Sequence, residues 1–144
     1  MARIAIELPP VFSFSIKIPV RITDLNYGGH VGNDSILSLV HEARVAFLFW
    51  NNYTEKDLGG AALIMGDVAI IFKNELFYGD DLTVQVAITE LSRSTFDIVY
   101  KLQKEVNGKA VDVALAKTGM VCFDYEKRKV MAVPEAVKTK FAHY

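Results

Sequence analysis

The chain has 144 residues, 51% of them hydrophobic and 23% charged, with 16 Lys+Arg against 17 Asp+Glu and a net charge of -1. That composition excludes a disordered chain, and at this length folding buries roughly 68–70% of the unfolded surface, enough for one core without metals or disulfides. The balanced charge offers no electrostatic handle for nucleic acid.

Several counts narrow the class further. Cys122 is the only cysteine and sits in the apolar run Gly119–Phe123, where it reads as a buried small hydrophobe. With His30, His41 and His143 the only histidines, a zinc cluster is not expected. The longest strictly apolar run, Val45 to Trp50, falls far below the ~18 residues of a membrane helix. Glu7 and Pro9-Pro10 break any signal-peptide core, so a reduced, cytoplasmic compartment is expected.

From Ser13 to Ile22, period-two alternation puts Phe14, Ile16, Ile18, Val20 and Ile22 on one face of a strand. Pro19 marks it as an edge strand. The next 11 residues, Thr23 to Asn33, hold three Gly, two Asn and one Asp, and predict a loop with unusual backbone angles. From Asp34 to about Asn51 the period turns helical, with Ile36, Val40, Ala43, Phe47 and Trp50 spaced four and three apart. Leu37, Leu39 and Leu48 widen the stripe, predicting a helix buried on most sides and capped by Asn33.

Beyond Gly59-Gly60, four strand-like segments follow. Val68–Phe72 leads into Leu76–Tyr78, and Gly79-Asp80-Asp81 makes the turn. Leu82, Val84, Val86 and Ile88 alternate, as do Phe96, Ile98, Tyr100 and Leu102. Asn107-Gly108 predicts a hairpin into the last strand, which opens with Val111, Val113 and Leu115 and runs to about Asp124. A short helix from Glu135 to Phe141 closes the chain. The order predicts a single α+β domain over residues 1–144: one antiparallel sheet around one long helix.

Any chemistry belongs where Asp24, Asn26, His30 and Asn33 crowd the helix start. Unpaired amides and the positive dipole end favour an oxygen carrying negative charge there. Gly28, Gly29 and Gly32 would admit a ligand close to the backbone, although the same residues also suit a plain strand-to-helix turn. A polarised carbonyl beside a carboxylate that activates water is the geometry of acyl-transfer hydrolysis.

The run Asp24-Leu25-Asn26-Tyr27-Gly28-Gly29-His30-Val31-Gly32-Asn33, with His41-Glu42-Ala43-Arg44 on the helix, resembles the hotdog-fold thioesterase superfamily. It looks most like the acyl-CoA thioesterases that share a pattern with 4-hydroxybenzoyl-CoA thioesterase. Leu76–Leu82 matches the family's Gly-Asp-x-Leu segment, so the resemblance spans roughly residues 12 to 125. It implies a hotdog fold with five antiparallel strands around the helix, and hydrolysis of an acyl-CoA to free acid and coenzyme A. Two hotdog subunits usually join their sheets, so it also implies a homodimer or a tetramer of dimers. Apolar residues on both faces of the segment after the linker (Val68, Ile70 and Phe72 against Ala69, Ile71 and Phe77) agree with that.

One position departs from the pattern. The resemblance places the catalytic Asp at the second position of Asp-x-Asp, where this chain has Asn26, and an amide is neither base nor nucleophile. Asp24 and Glu42 are the remaining carboxylates; each also has a structural reading, as a turn acceptor or as an ion-pair partner of Arg21 or Arg44. The expected arrangement has Glu42 or Asp24 activate water, with Asn26 and His30 positioning the reacting groups. Gly29, Gly32 and Asn33 would hold the carbonyl, while Arg93 and Ser94 would meet coenzyme A phosphates, or simply form a solvated turn. No cofactor is expected beyond the coenzyme A of the substrate, and no membrane partner. Two rival functions are a hotdog enoyl-thioester hydratase and a non-catalytic acyl-thioester binding protein.

Overall fold

The computed structural model describes residues 3–142, which places His143 outside the described part of the chain. Strand β1 (Phe14–Pro19) is followed by a 3-10 turn (Ile22–Asp24) and helix α1 (Asn33–Trp50). Strands β2 (Ala62–Phe72), β3 (Asp81–Thr89), β4 (Thr95–Val106) and β5 (Lys109–Asp124) form the main body. A two-residue strand β6 (Lys129–Val130) and helix α2 (Glu135–Lys140) end it.

The sheet is antiparallel with order β1-β3-β4-β5-β2, and β6 pairs with β5 as a sixth strand beyond the five expected. As Pro19 implied, β1 lies at an edge. The alternation in β3 and β4 points Leu82, Val84, Val86, Ile88, Phe96, Ile98, Tyr100 and Leu102 into one core. Ile36, Leu39, Val40, Ala43, Phe47 and Leu48 of α1 pack into that core, and the rings of Phe14 and Phe47 meet edge to face at 5.7 Å. Asn107 and Gly108 take φ of 53° and 79°, the positive pair that a two-residue hairpin needs. Cys122 is buried as expected, and burial pushes its thiol up to about 11, away from nucleophilic use.

Several boundaries differ from those expected. Strand β1 ends at Pro19, so Ile22 leaves the shared face and stands exposed at the start of the 3-10 turn. Gly32, not Asn33, is the N-cap of α1, because the helix starts one residue earlier. Strand β2 begins at Ala62, six residues before Val68; Gly66 and a register shift between Met65 and Asp67 hide its start. Leu76–Tyr78 is loop rather than strand.

Nor is α1 buried on most sides. Ser38, His41, Glu42, Val45 and Phe49 line an exposed side, with Phe49 75% and Trp50 60% accessible. Much of β2 is also exposed, including Met65, Val68 and Phe72, and its outer edge has no partner among the described residues.

Candidate active site

The loop after β1 folds into a small hairpin closed by an antiparallel bridge between Leu25 and Val31. The Asn26 amide donates to the His30 carbonyl at 2.8 Å, and the Gly29 amide donates to the Asn26 carbonyl at 3.1 Å. The Asn26 side-chain oxygen accepts from the Gly28 amide at 2.9 Å, an Asx turn that asparagine and aspartate both favour. Gly29 has φ of +83°, which a side chain would strain.

Asp24 sits beneath this hairpin, only 4% exposed. One carboxylate oxygen accepts from the Arg21 amide at 2.9 Å, and the other from the Arg21 guanidinium at 3.1 Å. Burial raises the Asp24 pKa, but the hydrogen bonds and charge of Arg21 outweigh it and hold the carboxyl below its ordinary value. A carboxylate so engaged is a clasp for the turn and a weak acceptor of further protons.

Gly32 is also spent: its amide donates to the Asp24 carbonyl at 3.3 Å. The first helical bond runs from the Ile36 amide to the Gly32 carbonyl at 3.2 Å, leaving the Asn33, Asp34 and Ser35 amides at the open end of α1. The donor available to a carbonyl is therefore one residue beyond Gly32.

His30 and Asn33 line a cavity of about 200 Å³ together with Ile36, Leu76 and Val113. Lys73, Asn74 and Glu75 of the β2–β3 loop complete the wall. The Val31 amide donates to the Leu76 carbonyl at 2.8 Å, which fastens that loop against the helix start. His30 Nδ1 lies 3.2 Å from the Val31 carbonyl oxygen, and Nε2 lies 4.0 Å from a Glu75 carboxylate oxygen. A side chain at Gly28 would begin 3.2 Å from the Asn26 Oδ1 and 3.6 Å from His30 Nε2, so glycine keeps this corner open.

Glu42 is exposed and borders a different recess with Ile18, Pro19, Arg21, Ser38 and Leu39. It does not pair with Arg44, whose Nε lies 3.4 Å from Glu55; His41 Nε2 is 2.7 Å from the same carboxylate. Arg93 and Ser94 precede β4 at the opposite end of the sheet: Thr95 pairs with Val121, whereas Val113 at the cavity lies eight residues earlier in β5. At ~3.3 Å per residue that separation is roughly 25 Å. One chain thus gathers Asn26, Gly29, His30 and Asn33, and leaves Glu42, Arg93 and Ser94 elsewhere.

Sequence reasoning missed Glu75. The signal was faint: a polar triplet, Lys73-Asn74-Glu75, between two apolar segments. Nothing local said that it folds back onto a histidine 45 positions earlier.

A helix start opening into a small cavity on one side of a hotdog sheet defines a thioesterase-like protein. The thioesterase-like superfamily model matches residues 20–141, and the chain belongs to that family. It is 30% identical over 122 residues to the 1,4-dihydroxy-2-naphthoyl-CoA hydrolase of Microcystis aeruginosa, covering 83% of this chain and 86% of the relative. To the acyl-CoA thioesterase YbgC of Haemophilus influenzae it is 26% identical, over 90% and 95% of the two chains. The 1,4-dihydroxy-2-naphthoyl-CoA thioesterase of Synechocystis superposes with a TM-score of 0.78 at 25% identity, over 90% of this chain and 95% of that one. The expected fold and family are both met.

Proposed function

We propose that this chain, acting as one domain over residues 1–144, hydrolyses the thioester of an acyl-CoA to the free acid and coenzyme A. The observation that carries this reading is the cavity at the start of α1, where His30 meets the free Asn33 amide within a thioesterase-family fold. The thioester oxygen would sit on the Asn33 and Asp34 amides, which strengthen as acceptor charge builds in the tetrahedral intermediate. Gly28 and Gly29 leave space for the acyl group beside them. Coenzyme A enters as part of the substrate, and the reaction needs no cofactor of the protein's own.

The exposed Val45, Phe49 and Trp50 of α1 and the open edge of β2 support assembly as a homodimer or a tetramer of dimers. Arg93 and Ser94 then serve the cavity only from a second copy, since their own lies at the far end of the sheet. A single free, buried cysteine supports a reducing cytoplasmic setting.

One observation favours a second reading, a non-catalytic acyl-thioester binder: Asn26 is not acidic and Asp24 is occupied by Arg21. Purified protein incubated with aliphatic and aromatic acyl-CoAs, with thiol release, crotonyl-CoA hydration and binding read in parallel, separates the three functions. Thiol release from at least one acyl-CoA is expected. Binding without release would establish the binder instead, and hydration alone the hydratase. Light scattering on the same sample should give at least twice the mass of one chain; a monomer at micromolar concentration refutes the assembly.

A further inference from the structure

We propose that His30 Nε2 is the base that deprotonates the attacking water, and that Glu75 is the positioning residue that stabilises the resulting imidazolium. This rests on the thioesterase reading above. The need is plain from the site: Asn26 cannot take a proton, Asp24 is clasped by Arg21, and Glu42 borders another recess.

His30 meets the geometric requirements. The Val31 carbonyl, 3.2 Å from Nδ1, can only accept a hydrogen bond, so it selects the ring tautomer with the proton on Nδ1. Nε2 therefore carries the lone pair. The ring meets that of Phe77 nearly at a right angle, with centroids 6.5 Å apart, and the missing side chain at Gly28 leaves Nε2 approachable.

Glu75 faces that nitrogen at 4.0 Å, an ion-pair distance rather than a hydrogen bond. Its backbone is held from two sides: the Lys104 ammonium donates to the Glu75 carbonyl at 2.7 Å, and the neighbouring Leu76 carbonyl accepts from Val31. Contacts of this kind tighten when substrate excludes water.

The step balances. Water loses a proton to Nε2 as its oxygen bonds to the thioester carbon, and the carbonyl electrons move to the oxygen held by the helix amides. Collapse of the intermediate breaks the C–S bond, and the departing thiolate takes the proton back from the imidazolium. The products are the free acid and coenzyme A thiol, with His30 neutral again and Glu75 unchanged.

Kinetics of Glu75→Gln and His30→Asn against the wild type test this. His30→Asn should lower kcat by roughly 100-fold or more with little change in KM, the usual scale for a lost base. Glu75→Gln should lower kcat by about tenfold with little change in KM, because the imidazolium formed in the reaction loses its counter-charge, and Glu75→Asp should recover part of that loss. Lys73 in the cavity wall and the Lys104–Asp80 pair beside the loop stay in place, so the loss reports Glu75. The Glu75 side chain is 64% exposed, and its amide variant will fold. A wild type that hydrolyses while His30→Asn keeps full kcat overturns the base and leaves the thioesterase reading standing. An unchanged kcat in Glu75→Gln overturns the role of Glu75. A wild type that releases no thiol from any acyl-CoA overturns both readings together.

Discussion

Asn26→Asp is expected to hydrolyse acyl-CoA roughly tenfold faster or more than the wild type, less than the roughly 100-fold of a sole general base because His30 already serves the site. The Asn26 side-chain oxygen and His30 Nε2 flank the same empty corner at Gly28, so a carboxylate at residue 26 stands beside the proposed base. The loop tolerates the change, because aspartate also accepts the Gly28 amide and residue 26 is exposed. The gain should be present at neutral pH and fade as the pH falls through the carboxylate range. Steady-state kcat on the best acyl-CoA of the wild type decides it. An unchanged rate would mean that water does not attack past residue 26.

Arg44→Ala is expected to cost about 3 kcal/mol of stability, read as a fall in the chemical-denaturation midpoint. Arg44 is 5% exposed and reaches between Glu55 and the hydroxyl of Tyr100, which lies 3.5 Å away and is itself 2.8 Å from the Thr118 hydroxyl. Burial pushes the Tyr100 pKa up, so the phenol stays protonated beside the guanidinium. Breaking a buried pair costs about 3–5 kcal/mol, and the lower end applies because Glu55 is half-buried and keeps His41 at 2.7 Å. Arg44→Met loses the same charge but fills the space, and should cost about 1–2 kcal/mol less than Arg44→Ala. Equal losses in the two variants would show that the lost charge, and not the cavity, sets the cost.

The parts of the fold that followed from sequence are those where one face alone is buried. Alternation in β3 and β4 placed their core residues, and the Asn107-Gly108 turn closed the hairpin because the backbone there needs positive φ at both positions. The helix is legible, but its stripe is narrower than the spacing implies: Trp50 is apolar yet exposed, and hydrophobic periodicity does not separate a core face from one left open in a single chain. Strand β2 failed at its start for the opposite reason, since its bulge at residues 65–67 breaks the period of two.

At the site, composition marked the Gly-rich loop, and local geometry gathered Asn26, Gly29, His30 and Asn33. The fate of Asp24 depended on an arginine only three positions away, a contact that spacing permits without requiring. Glu75 was out of reach because its approach to His30 is set by the order in which β1, β3, β4, β5 and β2 align, and no local pattern encodes that order.

The bulge in β2 has a bearing on how the molecule avoids aggregation. A long, flat, unpaired strand edge is a template for indefinite addition of further strands. Here the register shift at residues 65–67 interrupts the edge, Asp67 is tied to Lys117 at 2.9 Å, and Lys73 stands just past the last paired residue, Phe72. The regular stretches on the two sides of the shift, residues 62–65 and 67–72, are each short. Stretches that short, separated by a kink and ended by a charge, are a poor template for growth into a fibre.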